Sequence, residues 1–147
     1  MKIISDNRRA HYDYFIEDKF EAGLELQGWE VKSCREGKVN LQECFVYLDE
    51  GEAWLKNAHF SKYNFGDVKT QIEKRDRKLL LHSNEISKIH TAVKAKGQTC
   101  IATKVYFNKR GRVKIEIALA KGKHTYDKRA TIKERDIARE TKKEVNN

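Results

Sequence analysis

Hydrophobic and polar positions alternate most regularly over residues 101–119. Ile101, Thr103, Val105 and Phe107 fall on one side of an extended segment, Asn108-Lys109-Arg110-Gly111 interrupts it, and Val113, Ile115, Ile117 and Leu119 resume the period of two. That pattern predicts a β-hairpin with a basic turn. Lys114 and Glu116 point away from the Val113, Ile115, Ile117 row, so this hairpin has one wet face. Phe45-Val46-Tyr47-Leu48, the turn Asp49-Glu50-Gly51-Glu52, and Ala53-Trp54-Leu55 running on toward Phe60 predict a second hairpin. Tyr14 to Leu24 reads as a further strand in which Gly23 marks a bulge or a close approach.

Helical periodicity is sparser. Ser83 or Asn84 can cap a helix whose apolar positions Ile86, Ile89 and Val93 recur at i, i+3 and i+7, with Gly97 as its stop. A short helix around Gln27 to Arg35 would bury Trp29 and Val31. Ser61 to Lys78 reads as a long polar connection ending in Lys74-Arg75-Asp76-Arg77-Lys78. Five or six short strands and two small helices in about 120 residues predict a mainly β fold with small helices, best matched by an OB-like antiparallel barrel. A β-sandwich is the structural alternative.

After Ala120 the pattern stops. Residues 121–147 hold nine Lys/Arg against five Asp/Glu, a net +4, with Tyr126, Ile132, Ile137 and Val145 as the larger apolar side chains. Thr131 to Val145 reads as a helix without an apolar face, placing Lys128, Arg135, Arg139 and Lys142 on one stripe and Asp136, Glu140 and Glu144 on the next. A helix near 15 residues is marginal alone. The chain therefore divides into a barrel, 1–120, and a basic tail, 121–147, disordered when free and helical once docked. Tyr126, followed by Asp127, Lys128 and Arg129, suits stacking on an unpaired base with phosphates alongside.

Composition narrows the partner. A formal net charge of +9 in 147 residues, 36% of them charged, favours nucleic acid over acidic protein or membrane. No apolar run approaches the ~20 residues that span a bilayer, and the N-terminus lacks a signal-peptide core, which predicts a cytoplasmic protein. Cys34, Cys44 and Cys100 match neither a disulfide framework nor a zinc knuckle and read as reduced core residues. His11 with Asp13, or His82 with Glu85, can be drawn as a base and its orienting carboxylate, but no nucleophile elbow, phosphate-cradling loop or ligand cluster completes a catalytic set. No enzyme activity, cofactor or metal is expected. Four basic clusters, at Arg8-Arg9, Lys74 to Lys78, Lys109 to Lys114 and Lys121-Lys123, instead suggest a phosphate footprint.

Several motifs together resemble the SsrA-binding protein (small protein B, SmpB) family over Asn7 to about Glu134. They are Asn7-Arg8-Arg9-Ala10, Tyr14-Phe15-Ile16-Glu17, Phe20-Glu21-Ala22-Gly23-Leu24, Gly28-Trp29-Glu30-Val31-Lys32-Ser33, Arg77-Lys78-Leu79-Leu80-Leu81, and Ala120-Lys121-Gly122-Lys123 leading to Asp127-Lys128-Arg129. The resemblance implies a monomeric RNA-binding adaptor of trans-translation. Its barrel would bind the tRNA-like domain of transfer-messenger RNA (tmRNA, the SsrA RNA) through Asn7, Arg8, Glu21, Lys78, Leu80, Lys114, Lys121 and Lys123. That RNA would be delivered, aminoacylated and with elongation factor Tu, to 70S ribosomes stalled on nonstop messages. The tail would enter the empty decoding site and messenger channel beside small-subunit rRNA, with Tyr126, Asp127, Lys128, Arg129, Lys133, Arg135 and Arg139 in contact. Pattern alone makes Leu80 a core residue and Glu21 a solvent-exposed one. A general OB-type RNA-binding or ribosome-associated protein is the alternative.

Overall fold

The computed structural model describes residues 1–63 and 68–123. The expectations for the tail from Tyr126 onward lie outside those residues. Chain order is β1 (Lys2–Asp6), α1 (Arg8–Asp13), β2 (Tyr14–Leu24), α2 (Gly28–Arg35), β3 (Val39–Asn40), β4 (Phe45–Asp49), β5 (Glu52–Lys56), β6 (His59–Phe60), a 3-10 turn (Val68–Thr70), β7 (Arg77–Leu80), α3 (Ser83–Lys96), β8 (Thr99–Phe107) and β9 (Val113–Gly122). Seven strands form one antiparallel sheet in the order β1-β8-β9-β2-β7-β5-β4, and β3 pairs with β6. The far strand β4 returns to lie against β8, which curls the sheet into a partly closed, OB-like barrel. Nine strands and three helices among the described residues exceed the predicted count, because two-residue strands and the six-residue α1 are too short to show a period.

Both predicted hairpins form. In the β4–β5 hairpin Asp49 pairs with Glu52, leaving Glu50 (φ 50°) and Gly51 (φ 78°) as a two-residue loop. Two positive φ angles match the right-handed strand twist, and glycine at the second supplies one without strain. In the β8–β9 hairpin the alternation differs from the sequence reading. The register shifts between Ala102 and Lys104, so Ala102, Val105 and Phe107 join the main core while Ile101 packs in a separate cluster with Ala10 and Ala120. A bulge reverses side-chain parity, and here it sends Ile101 and Val105 to opposite faces. Thr103, at the bulge, donates its hydroxyl proton to the Glu116 carboxylate at 2.6 Å.

The main core joins Ala22, Leu55, Phe60, Leu79, Ile89, Val105, Ile115 and Ile117 inside the barrel. Helix α3 closes one side with Ile89 and Ala92, while Val93 is 39% exposed rather than buried. Its N-cap is His82, whose backbone N–H donates to Glu85, one residue earlier than predicted. In α2 the buried residues are Glu30, Ser33 and Cys34; Trp29 and Val31 are half-buried. The three cysteines are free and buried, as expected. Desolvation pushes each thiol up to about 12. Among the described residues no helix is long and apolar enough to cross a membrane.

Candidate nucleic-acid interface

Strand register assembles the surface. Leu80 pairs with Gly23, Gly23 with Lys114, and Lys114 with Tyr106, so these residues form one row across β7, β2, β9 and β8. One step along, Glu21 pairs with Glu116 and Glu116 with Lys104. Ala22, Leu79, Ile115 and Val105 alternate with these positions and fill the core, so both rows face outward. Gly23 leaves a gap in the first row. A Cβ there would sit 3.3 Å from the Leu80 Cβ, so the close approach is real, and the β2 irregularity lies elsewhere, between Ile16 and Lys19.

Leu80 is 48% exposed on this face, which corrects the pattern reading of a core leucine. It presents an apolar ledge across Gly23 from Lys114, with Glu21 two residues along β2. Tyr106 is 6% exposed and donates its hydroxyl proton to Glu21. Burial first, then the Glu21 bond, raises the phenol pKa, keeping Tyr106 a donor. Glu116 is flanked by Lys19 at 3.8 Å and Lys104 at 3.9 Å, which offset the repulsion of two facing carboxylates. Apolar ledge, cation and fixed acceptor can together take a base on its π-face, its phosphate and its amino edge.

The basic clusters divide sharply. Arg75 and Arg77 are consumed internally. Both bond to Glu30, which is 0% exposed, with Arg77 Nε at 2.6 Å and Arg75 Nη2 at 2.7 Å. Arg77 also lies 3.9 Å above the Phe60 ring and donates to the carbonyls of Ala58, Arg75 and Glu73. Arg75 and Arg77 thus clamp the buried Glu30 rather than offering a free phosphate site, while Lys74 is exposed. Lys78, on the outward face, pairs with Glu52 at 3.0 Å, and that bond raises its pKa. Arg8 and Lys121 are exposed. Lys123 donates to the His11 carbonyl at 3.2 Å and lies 5.0 Å over the Phe15 ring. Asn7 is 7% exposed, with its amide bonded to the carbonyls of Leu41 and Ala102. Its side-chain donors therefore join α1 to the barrel. At Lys109 to Arg112, Asn108 Oδ1 accepts from the backbone N–H groups of Arg110 and Arg112 and holds the basic turn.

Asp13 takes Arg9 at 3.1 Å, and Glu85 takes the His82 backbone N–H. Among the described residues no group of His, Cys, Asp and Glu is arranged to hold a metal.

The family model for SmpB protein matches residues 4–147. This chain belongs to the SmpB family. Similar relatives are the SsrA-binding protein of Caldanaerobacter subterraneus subsp. tengcongensis, 51% identical over 144 residues, 98% of this chain and 90% of that protein, and that of Sphingomonas elodea, 50% identical over 140 residues, 95% and 88%. A solved structure described as "tmRNA-SmpB: a journey to the center of the bacterial ribosome" superposes with a TM-score of 0.72 at 41% identity, covering 92% of this chain and 94% of that one. Against this SmpB framework, sequence reading missed two features, the Glu30 clamp and Tyr106. A glutamate and an arginine 47 positions apart carry no pairing signal, whereas Tyr106 could have been found as a polar-tipped ring opposite Lys114 in the hairpin.

Proposed function

We propose that this SmpB-family chain is a non-enzymatic RNA-binding adaptor of trans-translation. Its barrel binds the tRNA-like domain of tmRNA, and its tail acts at the empty decoding site of a stalled ribosome. The observation that carries the reading is the outward row of Leu80, Gly23 and Lys114 beside Glu21, on a chain whose relatives are named SsrA-binding proteins. A leucine 48% exposed in one row with a lysine, beside a carboxylate, suits a partly unstacked RNA loop better than a phosphate backbone alone. Arg8, Lys78, Lys121 and Lys123 add positioning charge around that contact. Delivery together with elongation factor Tu, the monomeric state, the cytoplasmic location and the tail contacts from Tyr126 through Asp127, Lys128, Arg129, Lys133, Arg135 and Arg139 belong to the same proposal.

Filter binding with the tRNA-like domain of tmRNA, in competition with ordinary tRNA at fixed salt, tests it. The adaptor reading expects a preference of at least about tenfold for the tmRNA domain. Equal affinity for both RNAs would leave a general OB-type RNA-binding protein.

A further inference from the structure

Where α1 meets the segment leading into β4, the surface opens into a cavity of about 380 Å³ lined in part by Asn7, Arg9, Tyr14, Gln42, Phe45 and Thr99. Asn7 donates to the Leu41 carbonyl at 3.1 Å and the Ala102 carbonyl at 2.9 Å, which fixes how its amide is turned. The polar atom left over is Oδ1, buried and without a hydrogen-bond partner among the described residues. A buried acceptor in that state carries a desolvation penalty that an incoming N–H would relieve. Tyr14 and Phe45 are half-buried and offer ring surface in the same cavity. Arg9 is engaged through Nε by Asp13, and its side chain is 58% exposed.

We propose that this cavity receives a single unpaired nucleobase of the bound RNA. The base packs against Tyr14 and Phe45, an amino or imino N–H donates to Asn7 Oδ1, and the Arg9 guanidinium faces the attached phosphate. Asp13 and Glu43 also line the opening and repel a phosphate that enters deeply, so the neutral base goes in and the backbone stays outside. The volume suits a small ligand site. Apolar rings with one acceptor and a cation at the side are the chemistry of an extruded base. The assignment rests on the RNA-binding reading above.

The test uses the full chain with the tRNA-like domain of tmRNA and, separately, ordinary tRNA, each probed base by base with dimethyl sulfate and carbodiimide. Gln42→Trp fills the opening from an exposed position, and Phe45→Leu removes one ring. We expect one unpaired base that wild type protects to become reactive again with either variant, affinity to fall about tenfold, and melting to shift little for Gln42→Trp. Identical protection and affinity in wild type and both variants would overturn the assignment. So would a uniform loss of every protection together with the melting transition. Equal wild-type binding to both RNAs would instead reject the adaptor reading, and a protected base that re-emerges in the variants on either RNA would still uphold the cavity.

Discussion

Replacing Glu30 with glutamine isolates the buried clamp, because shape is kept and charge is lost. Glu30 accepts from Arg77 Nε at 2.6 Å, Arg75 Nη2 at 2.7 Å, Arg75 Nε at 3.2 Å and the Gln27 backbone N–H at 2.7 Å. Arg77 is 0% exposed, burial pulls its pKa down, and Glu30 is the counter-ion that holds it up. Glutamine turns one acceptor oxygen into a donor facing a guanidinium and leaves a buried cation uncompensated. Breaking such a pair costs about 3–5 kcal/mol. For a folded unit of this size, at roughly 3–6 °C per kcal/mol, melting should fall by about 10–30 °C. That is a large part of the ~5–15 kcal/mol expected of a domain. Urea titration followed by far-UV circular dichroism would measure the loss, with an unchanged m-value showing that the two-state comparison holds. Glu30→Met combined with Arg77→Met should cost less than the two single losses added, since neither fully buried charge is then left unpaired and Arg75, 27% exposed, keeps access to water. A Glu30→Gln loss below about 1 kcal/mol, or a double variant as poor as the sum, would refute the argument that a buried charge pair holds α2 to the start of β7.

Three further outcomes follow from the geometry. Glu21→Ala with Lys114→Ala should lower affinity for the tRNA-like domain about tenfold or more, yet cost about 1–2 kcal/mol of stability, mostly because the Tyr106 hydroxyl loses its acceptor; adding Tyr106→Phe should recover stability but not binding, and recovery of both would place the pair in the fold instead. Gly23→Val brings branched bulk to a site where even a Cβ is 3.3 Å from Leu80; it should displace the leucine, destabilise by about 1–3 kcal/mol and weaken RNA binding, and unchanged binding would show that Leu80 makes no contact. Burial pushes the thiols of Cys34, Cys44 and Cys100 up to about 12 in the fold, from an ordinary 9.0. The folded chain then keeps protons that the unfolded chain releases, so stability is whole below pH 9 and is lost between pH 9 and about 12, at up to roughly 4 kcal/mol per pH unit for three thiols. Cys100→Ala should flatten that slope by about a third, and an unaltered slope would show that the thiol does not titrate this way.

Legibility from sequence followed the range of the interactions. The 101–119 hairpin and the strand Tyr14 to Leu24 were readable because their apolar positions repeat within a few residues. The Thr103 bulge was not, since Ile101, Thr103, Val105 and Phe107 form an unbroken alternation that tertiary packing of Ile101 beneath α1 overrides. Helix α1 escaped notice because Arg8–Asp13 has one buried residue, Ala10, and its start is held by Asn7 reaching 95 positions to Ala102. Charge counting assigned Arg75 and Arg77 to an RNA footprint, whereas the buried Glu30, distant in sequence, takes both as ion-pair partners. The functional row was the hardest to see. Leu80 and Gly23 look like core and bulge until register places them side by side, and only the family resemblance pointed to that face.

The division of labour between barrel and tail is the central claim, and removing every residue after Tyr126 tests it directly. Affinity for tmRNA should stay within about threefold of wild type, while tmRNA-dependent peptide tagging on ribosomes stalled at the end of a nonstop message should be lost. A parallel loss of RNA affinity, or tagging that persists without the tail, would contradict the account.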